Sequence, residues 1–249
     1  MAHRLLPAAL IATALTASLA ACGGGDGGDD RAERLRTAGR AAPVGTGFTS
    51  DQLEQALLTE APGYRRAGEP DSGEYGSLKA IQNFNQLQRQ VKLDKPRCAN
   101  GGNGPGSAAG SGSGGSDSVI DRAAPSALTT FAKGNGQTVT ETLMSLTAEA
   151  AAQQVKARVP TGCLMFRTRV GAQWSEHRVV ESPPGRIGQG SRTVGVTTVS
   201  GGSHTKTWYV VLQGRRYLAT ISVFGPTATR TEAESLARLA YAQAERILP

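Results

Sequence analysis

The stretch Arg192-Thr193-Val194-Gly195-Val196-Thr197-Thr198-Val199-Ser200, then Gly201-Gly202, then Thr205-Lys206-Thr207-Trp208-Tyr209-Val210-Val211-Leu212 decides the fold class. Both halves are rich in β-branched and aromatic residues, which suit a pleated, half-buried surface. The paired glycines between them are the punctuation of a hairpin. The pattern repeats outward. Residues 216–224 follow Gln213-Gly214, and residues 164–170 and 173–180 precede, parted by Gly171 and closed by Pro183-Pro184-Gly185. Further upstream, 127–133 and 137–146 flank Gly134-Asn135-Gly136. Short strands with Gly and Pro turns predict an antiparallel meander. Alternation in the last two strands brings Tyr209 and Val211, and then Tyr217, Ala219, Ile221 and Val223, to common faces.

Helical signals surround the strands. Thr147 can cap a helix over 148–158, which Pro160-Thr161-Gly162 terminates. Thr231-Glu232-Ala233-Glu234 reads as a capping box opening a closing helix, with Leu236, Ala237, Ala240, Ala244 and Ile247 on one stripe. Near the other end, Thr49-Ser50-Asp51-Gln52 is a capping box too, with Phe48, Leu53, Ala56 and Leu57 as its apolar face. Pro62-Gly63 stops that helix, and Tyr64 is expected to pack back on it. Leu78, Ile81, Phe84, Leu87 and Val91 predict a further helix within 76–93, ended by Pro96. The elements together predict an α+β domain over 48–249, an antiparallel β-meander packed with flanking helices in two layers. A Gly/Ser run at 100–118 interrupts it as a disordered loop; it lacks the Gly-Lys-Ser/Thr of a phosphate cradle.

Four features in order carry a family resemblance. They are Leu53-Glu54-Gln55-Ala56-Leu57-Leu58-Thr59-Glu60-Ala61-Pro62-Gly63-Tyr64, the Ala-rich helix leading to Cys163, the Pro/Gly turn near Pro184 and Gly188, and the final hairpin plus helix. Over roughly 48–248 the chain resembles the sensor-like domains of actinobacterial lipoproteins and of the PknH-type Ser/Thr kinase ectodomain. It departs from the pattern at Gly188-Gln189, where relatives are expected to carry Gly-Asp, and in the length of the Gly/Ser loop. The resemblance implies an extracytoplasmic binding or sensing domain and transfers no catalytic residue.

The N-terminus has its own logic. His3 and Arg4 precede an apolar run from Leu5 to Leu19, and Leu19-Ala20-Ala21-Cys22 follows, then Gly23. A charged start, a short apolar core and small residues before the cut are the layout of a secretory signal over 1–21. The apolar run is short of the ~20 residues that span a bilayer. Leu-Ala-Ala-Cys resembles the lipobox of bacterial lipoproteins, whose cysteine is acylated. Cys22 would then anchor the chain to membrane lipid, facing outside, with 22–47 a Gly/Asp-rich tether. The alternative is an ordinary signal with an incidental cysteine.

Export frames the rest of the composition. The 27 Lys and Arg against 20 Asp and Glu give +7, but they are interspersed rather than striped, which speaks against nucleic acid. Weak attraction to an anionic envelope surface is compatible with that charge. With Cys22 lipidated, Cys98 and Cys163 are an even pair in an oxidising compartment and predict a disulfide; two buried thiols are the alternative. Two cysteines without nearby histidines make no metal site, and no cofactor is implied.

Catalytic signals are thin. His177 and His204 read as surface residues, no Gly-x-Ser-x-Gly elbow occurs, and Glu141, Glu176 and Glu181 have no special context. Trp174, Trp208, Tyr209 and Tyr217 are the candidate ligand-binding residues; core packing is the other reading of them. The expected function is a non-catalytic sensor or ligand-binding lipoprotein, for a small molecule, lipid, glycan or envelope protein. An envelope-assembly partner protein is the alternative, and an unrecognised hydrolase stands behind both. A closed pocket would favour ligand binding, a flat apolar patch a protein partner. For the anchor, replacing Cys22 by Ser is expected to abolish acyl labelling and release or stall the protein; a mutant that is still labelled refutes it.

Overall fold

The computed structural model describes residues 47–98 and 121–249. The signal, Cys22, nearly all of the tether and the whole Gly/Ser run lie outside the described residues. Every described residue belongs to one compact unit, Ala41–Pro249.

That unit is one antiparallel sheet flanked by helices. Strands β1 (Arg65–Arg66), β2 (Asp71–Glu74) and β3 (Lys92–Leu93) are short edge pieces. The body consists of β4 (Pro125–Ala132), β5 (Thr138–Ser145), β6 (Met165–Val170), β7 (Gln173–Glu181), β8 (Ser191–Ser200), β9 (Ser203–Gln213) and β10 (Tyr217–Gly225). Their order is β1-β4-β5-β10-β9-β8-β7-β6-β3, with β2 also on β4. The expected α+β meander is therefore present, with β10 inserted between β5 and β9 at its centre.

Register decides what each face carries. Ile221 lies opposite Val210 and Ala219 opposite Leu212, so Tyr217, Ala219, Ile221 and Val223 share a face with Trp208, Val210 and Leu212. Tyr209 and Val211 point to the other side, because they pair with Ser222 and Thr220. The common face joining Tyr209 to Tyr217 does not exist. A hairpin of this register separates them by one residue, and one residue is the whole difference between faces.

Two cores result. The larger joins the Tyr217–Val223 set to α1 (Ser50–Ala56) and α4 (Arg230–Ile247), through Leu53, Ala56, Leu236, Ala237, Ala240 and Ala244. The smaller, on the opposite face, joins Leu128, Met144, Val211 and Leu218 to Tyr75, Leu78 and Ala151 of α3 (Ala148–Lys156). Helices thus flank both faces of the central strands. In α4, Ile247 is largely exposed and Leu248 takes the buried place at the end of the stripe.

The caps explain the helix limits. Thr49 and Gln52 form the expected reciprocal box on α1, but the helix ends at Ala56, and Leu57 and Leu58 continue extended into the core. Helix α2 is shorter than its periodicity, Lys79–Gln88, because 92–93 are taken by strand pairing with β6. Its Leu87 is 61 % exposed. On α4 the cap is Thr229, whose hydroxyl accepts from the Glu232 N–H, so the helix starts before Thr231. Glu232 does not fold back on the cap. It accepts from Tyr64 Oη (2.8 Å), Lys133 Nζ (2.7 Å) and Gln137 Nε2, which ties the N-terminal segment and the β4–β5 turn to α4. Burial alone would raise the Glu232 carboxyl; these three donors outweigh it and hold it below the ordinary range.

The disulfide is formed: Cys98 and Cys163 are bonded across a separation of 65 residues, stitching the segment after β3 to the turn before β6. Chain entropy gives such a closure ~4 kcal/mol.

Glu141 is the odd group of the larger core. It has no exposed surface, accepts one hydrogen bond from the Leu58 N–H (2.7 Å), and its Oε1 has no partner. Thr129, directly across the strand, has an unpartnered Oγ1 as well. Burial pushes the carboxyl up to about 8, against smaller downward effects of Leu58 and Arg66. The native state therefore holds this proton more tightly than the unfolded chain. Stability contributed by the neutral form is complete below the ordinary carboxylate range and declines as pH rises from about 4.5 towards 8. Glu141→Gln keeps the acceptor for Leu58 and removes the penalty. Its melting temperature is expected to match wild type at pH 4.5 and to exceed it by about 3 °C or more at pH 8, the shift that roughly 1 kcal/mol produces in a domain of this size. A mutant that is less stable at pH 8 would contradict the assignment.

Candidate functional site

Beyond the reach of α4, the face that carries the larger core continues outward over β8, β7 and β6. The strand register sets its side chains in rows. Val180, Gly195 and Trp208 form the row nearest the core. Next come Met165, Arg178, Thr197 and Lys206, then Arg167, Glu176, Val199 and His204, and at the outer end Arg169 with Trp174. Met165 is 47 %, Trp174 48 % and Val180 49 % exposed. These large apolar side chains stand among the cations Arg167, Arg169, Arg178 and Lys206, with Glu176 as the one carboxylate of these rows.

Local contacts order the outer end. The Arg169 guanidinium lies 5.4 Å from the Trp174 ring centroid, a cation–π arrangement across the β6–β7 pair. Arg167 approaches Glu176 at 3.4 Å, an exposed pair of small energetic weight. Beside Trp174 opens a shallow cleft of about 400 Å³ lined by Asp94, Arg167, Ser175, Glu176 and Val199. Asp94 is fixed there by two bonds to the edge of β6: its carboxylate accepts from the Arg167 N–H (2.9 Å), and its own N–H donates to the Arg167 carbonyl (3.0 Å). The nearby disulfide and Lys95 Nζ on the Gly162 carbonyl (3.2 Å) hold the same segment in place.

The four sequence-predicted aromatics do not converge. Trp174 alone is exposed on this face. Trp208 is half-buried at the boundary of the core, its ring lying over Gly195. Tyr217 is buried in the core, its hydroxyl donating to Glu245 at 3.0 Å. Tyr209 is half-buried on the opposite face. The residues missed in the sequence are Met165, Arg167, Arg169, Arg178 and Lys206. Their signal was the alternation Met165-x-Arg167-x-Arg169, which puts two cations on one side of β6.

Among the described residues, neither histidine is hydrogen-bonded to a carboxylate. His177 lies on the opposite face from its neighbour Glu176, hydrogen-bonded through Nε2 to Thr168 (2.7 Å) and through Nδ1 to Thr198 (3.0 Å). It stacks on Phe166 with centroids 4.7 Å apart, and burial lowers its pKa. His204 is exposed at the end of the Val199 row. Among the described residues no group of three or more His, Cys, Asp or Glu gathers where a metal ion could be held. None of the described helices is long and apolar enough to cross a membrane.

Comparison with known proteins places this geometry in a fold. No protein-family model matches the sequence. No curated protein matches it either. Among solved structures, the extracellular domain of PknH from Mycobacterium tuberculosis is similar over 81 % of this chain and 98 % of its own, with a TM-score of 0.55 at 12 % identity. An uncharacterised protein from Mycobacterium smegmatis is similar over 78 % and 97 %, at 16 % identity and a TM-score of 0.44, too low to carry weight. The resemblance to PknH-type extracellular domains read from the sequence is thus present in the structure as a shared fold.

Gly195 offers a direct test of how this face is built. A Cβ there would fall 2.7 Å from Cζ3 of Trp208, so any side chain must lift the indole off the sheet. Gly195→Val is expected to cost about 1–3 kcal/mol by overpacking and to shift Trp emission to the red. Unchanged emission and stability would show that the indole does not lie on β8.

Proposed function

We propose that this protein is a lipid-anchored extracytoplasmic module that binds its ligand at the open face of β6–β9 and does not turn it over. The observation that carries the reading is the exposed Trp174, stacked with Arg169, within a face where cations alternate with uncovered apolar side chains. Isolated surface hydrophobics need no explanation, but an ordered group of them interleaved with charge marks an interaction site. The fold shared with an extracellular domain supports the location, and the signal-like residues 1–21 with Cys22 support export and anchoring. Against catalysis, His177 is committed to two threonine hydroxyls and faces away from Glu176.

The site is a surface rather than a chamber, which favours an extended ligand over a small enclosed one. The same openness favours, as the second reading, a protein partner in envelope assembly.

Envelope lipids and glycans titrated into the Ala41–Pro249 unit are expected to give a saturable change in Trp emission. The melting temperature should rise in step with RT ln(1 + [L]/Kd). Trp174→Ala should weaken that binding at least about tenfold, a loss of roughly 1.4 kcal/mol, while leaving the fold intact. Binding indifferent to Trp174, or a hydrolytic activity lost in His177→Gln, would overturn the proposal.

A further inference from the structure

We infer that the open face docks on an anionic phospholipid bilayer, taking the membrane surface itself as its partner. This rests on the reading of that face as the recognition surface and names what it recognises. The argument starts from the sign and spacing of its charges. Arg167 and Arg169 stand on β6, Arg178 on β7 and Lys206 on β9, against the two carboxylates Glu176 and Asp94. With ~4.8 Å between strands, the charges on β6 and β9 are about 14 Å apart. A single phosphate would draw its cations together around one point. Cations spread over three strands, β6, β7 and β9, match a field of many headgroups, which needs no fixed register.

The apolar component agrees. Met165, Trp174 and Val180 are each about half exposed and lie among those cations rather than behind them. A tryptophan beside basic residues suits the headgroup level of a bilayer, where the indole is half in hydrocarbon and long cationic side chains reach to phosphate. Attraction of Lys and Arg to an anionic leaflet acts within a Debye length, so it takes effect only when the face lies close to the surface. The proposed anchor provides that proximity. From Cys22 to Gly47 the chain advances 47 − 22 = 25 residues, up to about 85 Å when extended. Any face of the domain can therefore turn to the membrane, and tethering raises the effective concentration of a weak surface contact.

The Ala41–Pro249 unit, which lacks Cys22, separates docking from anchoring. In low salt it is expected to co-sediment with vesicles of phosphatidylcholine containing about 30 % phosphatidylglycerol, the anionic surface that basic residues seek. It should leave pure phosphatidylcholine vesicles unbound. Raising salt to about 0.5 M should release it. Trp emission should move to the blue on anionic vesicles, and Trp174→Ala should abolish that shift. The double variant Arg178→Glu, Lys206→Glu should bind at least tenfold more weakly with an unchanged melting temperature. Equal binding to neutral vesicles, no binding to anionic ones, or full binding by the double variant overturns the inference. Displacement by millimolar soluble glycerol phosphate also overturns it, since that would reveal a headgroup pocket. If vesicles have no effect while a soluble envelope ligand still shifts Trp174 emission, docking is wrong and the broader binding function stands. If neither perturbs Trp174, both fall.

Discussion

Four alanines of α4, Ala233, Ala237, Ala240 and Ala244, have no exposed surface and share one core with Ala219, Ile221 and Val223 of β10. Small side chains on the helix let its axis come close to the sheet, and the larger strand residues fill the space between. The whole sheet is organised about that contact. Strand β10 is paired on both edges, covered along one face by the core of α1 and α4, and covered on the other at Leu218 by the core around Met144. A helix is only ~10–12 Å across, whereas nine strands in succession span about 38 Å. One closing helix cannot cover such a sheet. The uncovered remainder carries the exposed Trp174, Met165 and Val180.

The margins of the fold are held by polar and covalent links instead of apolar burial. Glu232 gathers Tyr64, Lys133 and Gln137 where the N-terminal segment, the β4–β5 turn and α4 meet. At the far edge, Asp94 closes the exposed backbone of β6, and the Cys98–Cys163 bond keeps that edge in place. A bare strand edge invites pairing with another chain. Here the edge is capped by a carboxylate and a short strand, so its backbone is not left bare.

The two sides of the outer strands have different chemistry. One presents His177 between Thr168 and Thr198, with every ring nitrogen of His177 engaged. The other presents Trp174, Met165 and Val180 among four cations. Alternation along each strand produces both from the same residues: Arg167 and Glu176 go to one side, Thr168 and His177 to the other. A module that recognises a surface needs the second kind of face, since interleaved charge and apolar area act without a fixed pocket.

Local physics was legible in the sequence. Thr49 with Gln52, Thr147, the glycine turns and the β-branched runs each specify their own few residues, and each formed where expected. The cysteine pair was legible too, because setting Cys22 aside as the expected lipid site leaves only Cys98 and Cys163 to pair. The start of α4 was missed by two residues: Thr229 and Thr231 both precede acidic residues at capping distance, and it is Thr229 that caps, with Glu232 engaged by Tyr64, Lys133 and Gln137. The candidate site was less legible still. Trp174, Trp208, Tyr209 and Tyr217 look alike as strand aromatics. Register sends Tyr209 to the other face, and the position of α4 buries Tyr217, half-covers Trp208 and leaves Trp174 in solvent. Sequence determined which residues are strand, turn and cap, because those preferences act over a few bonds. Tertiary structure decided which side chains are exposed together, because that depends on pairing between distant strands and on how far one helix reaches across them.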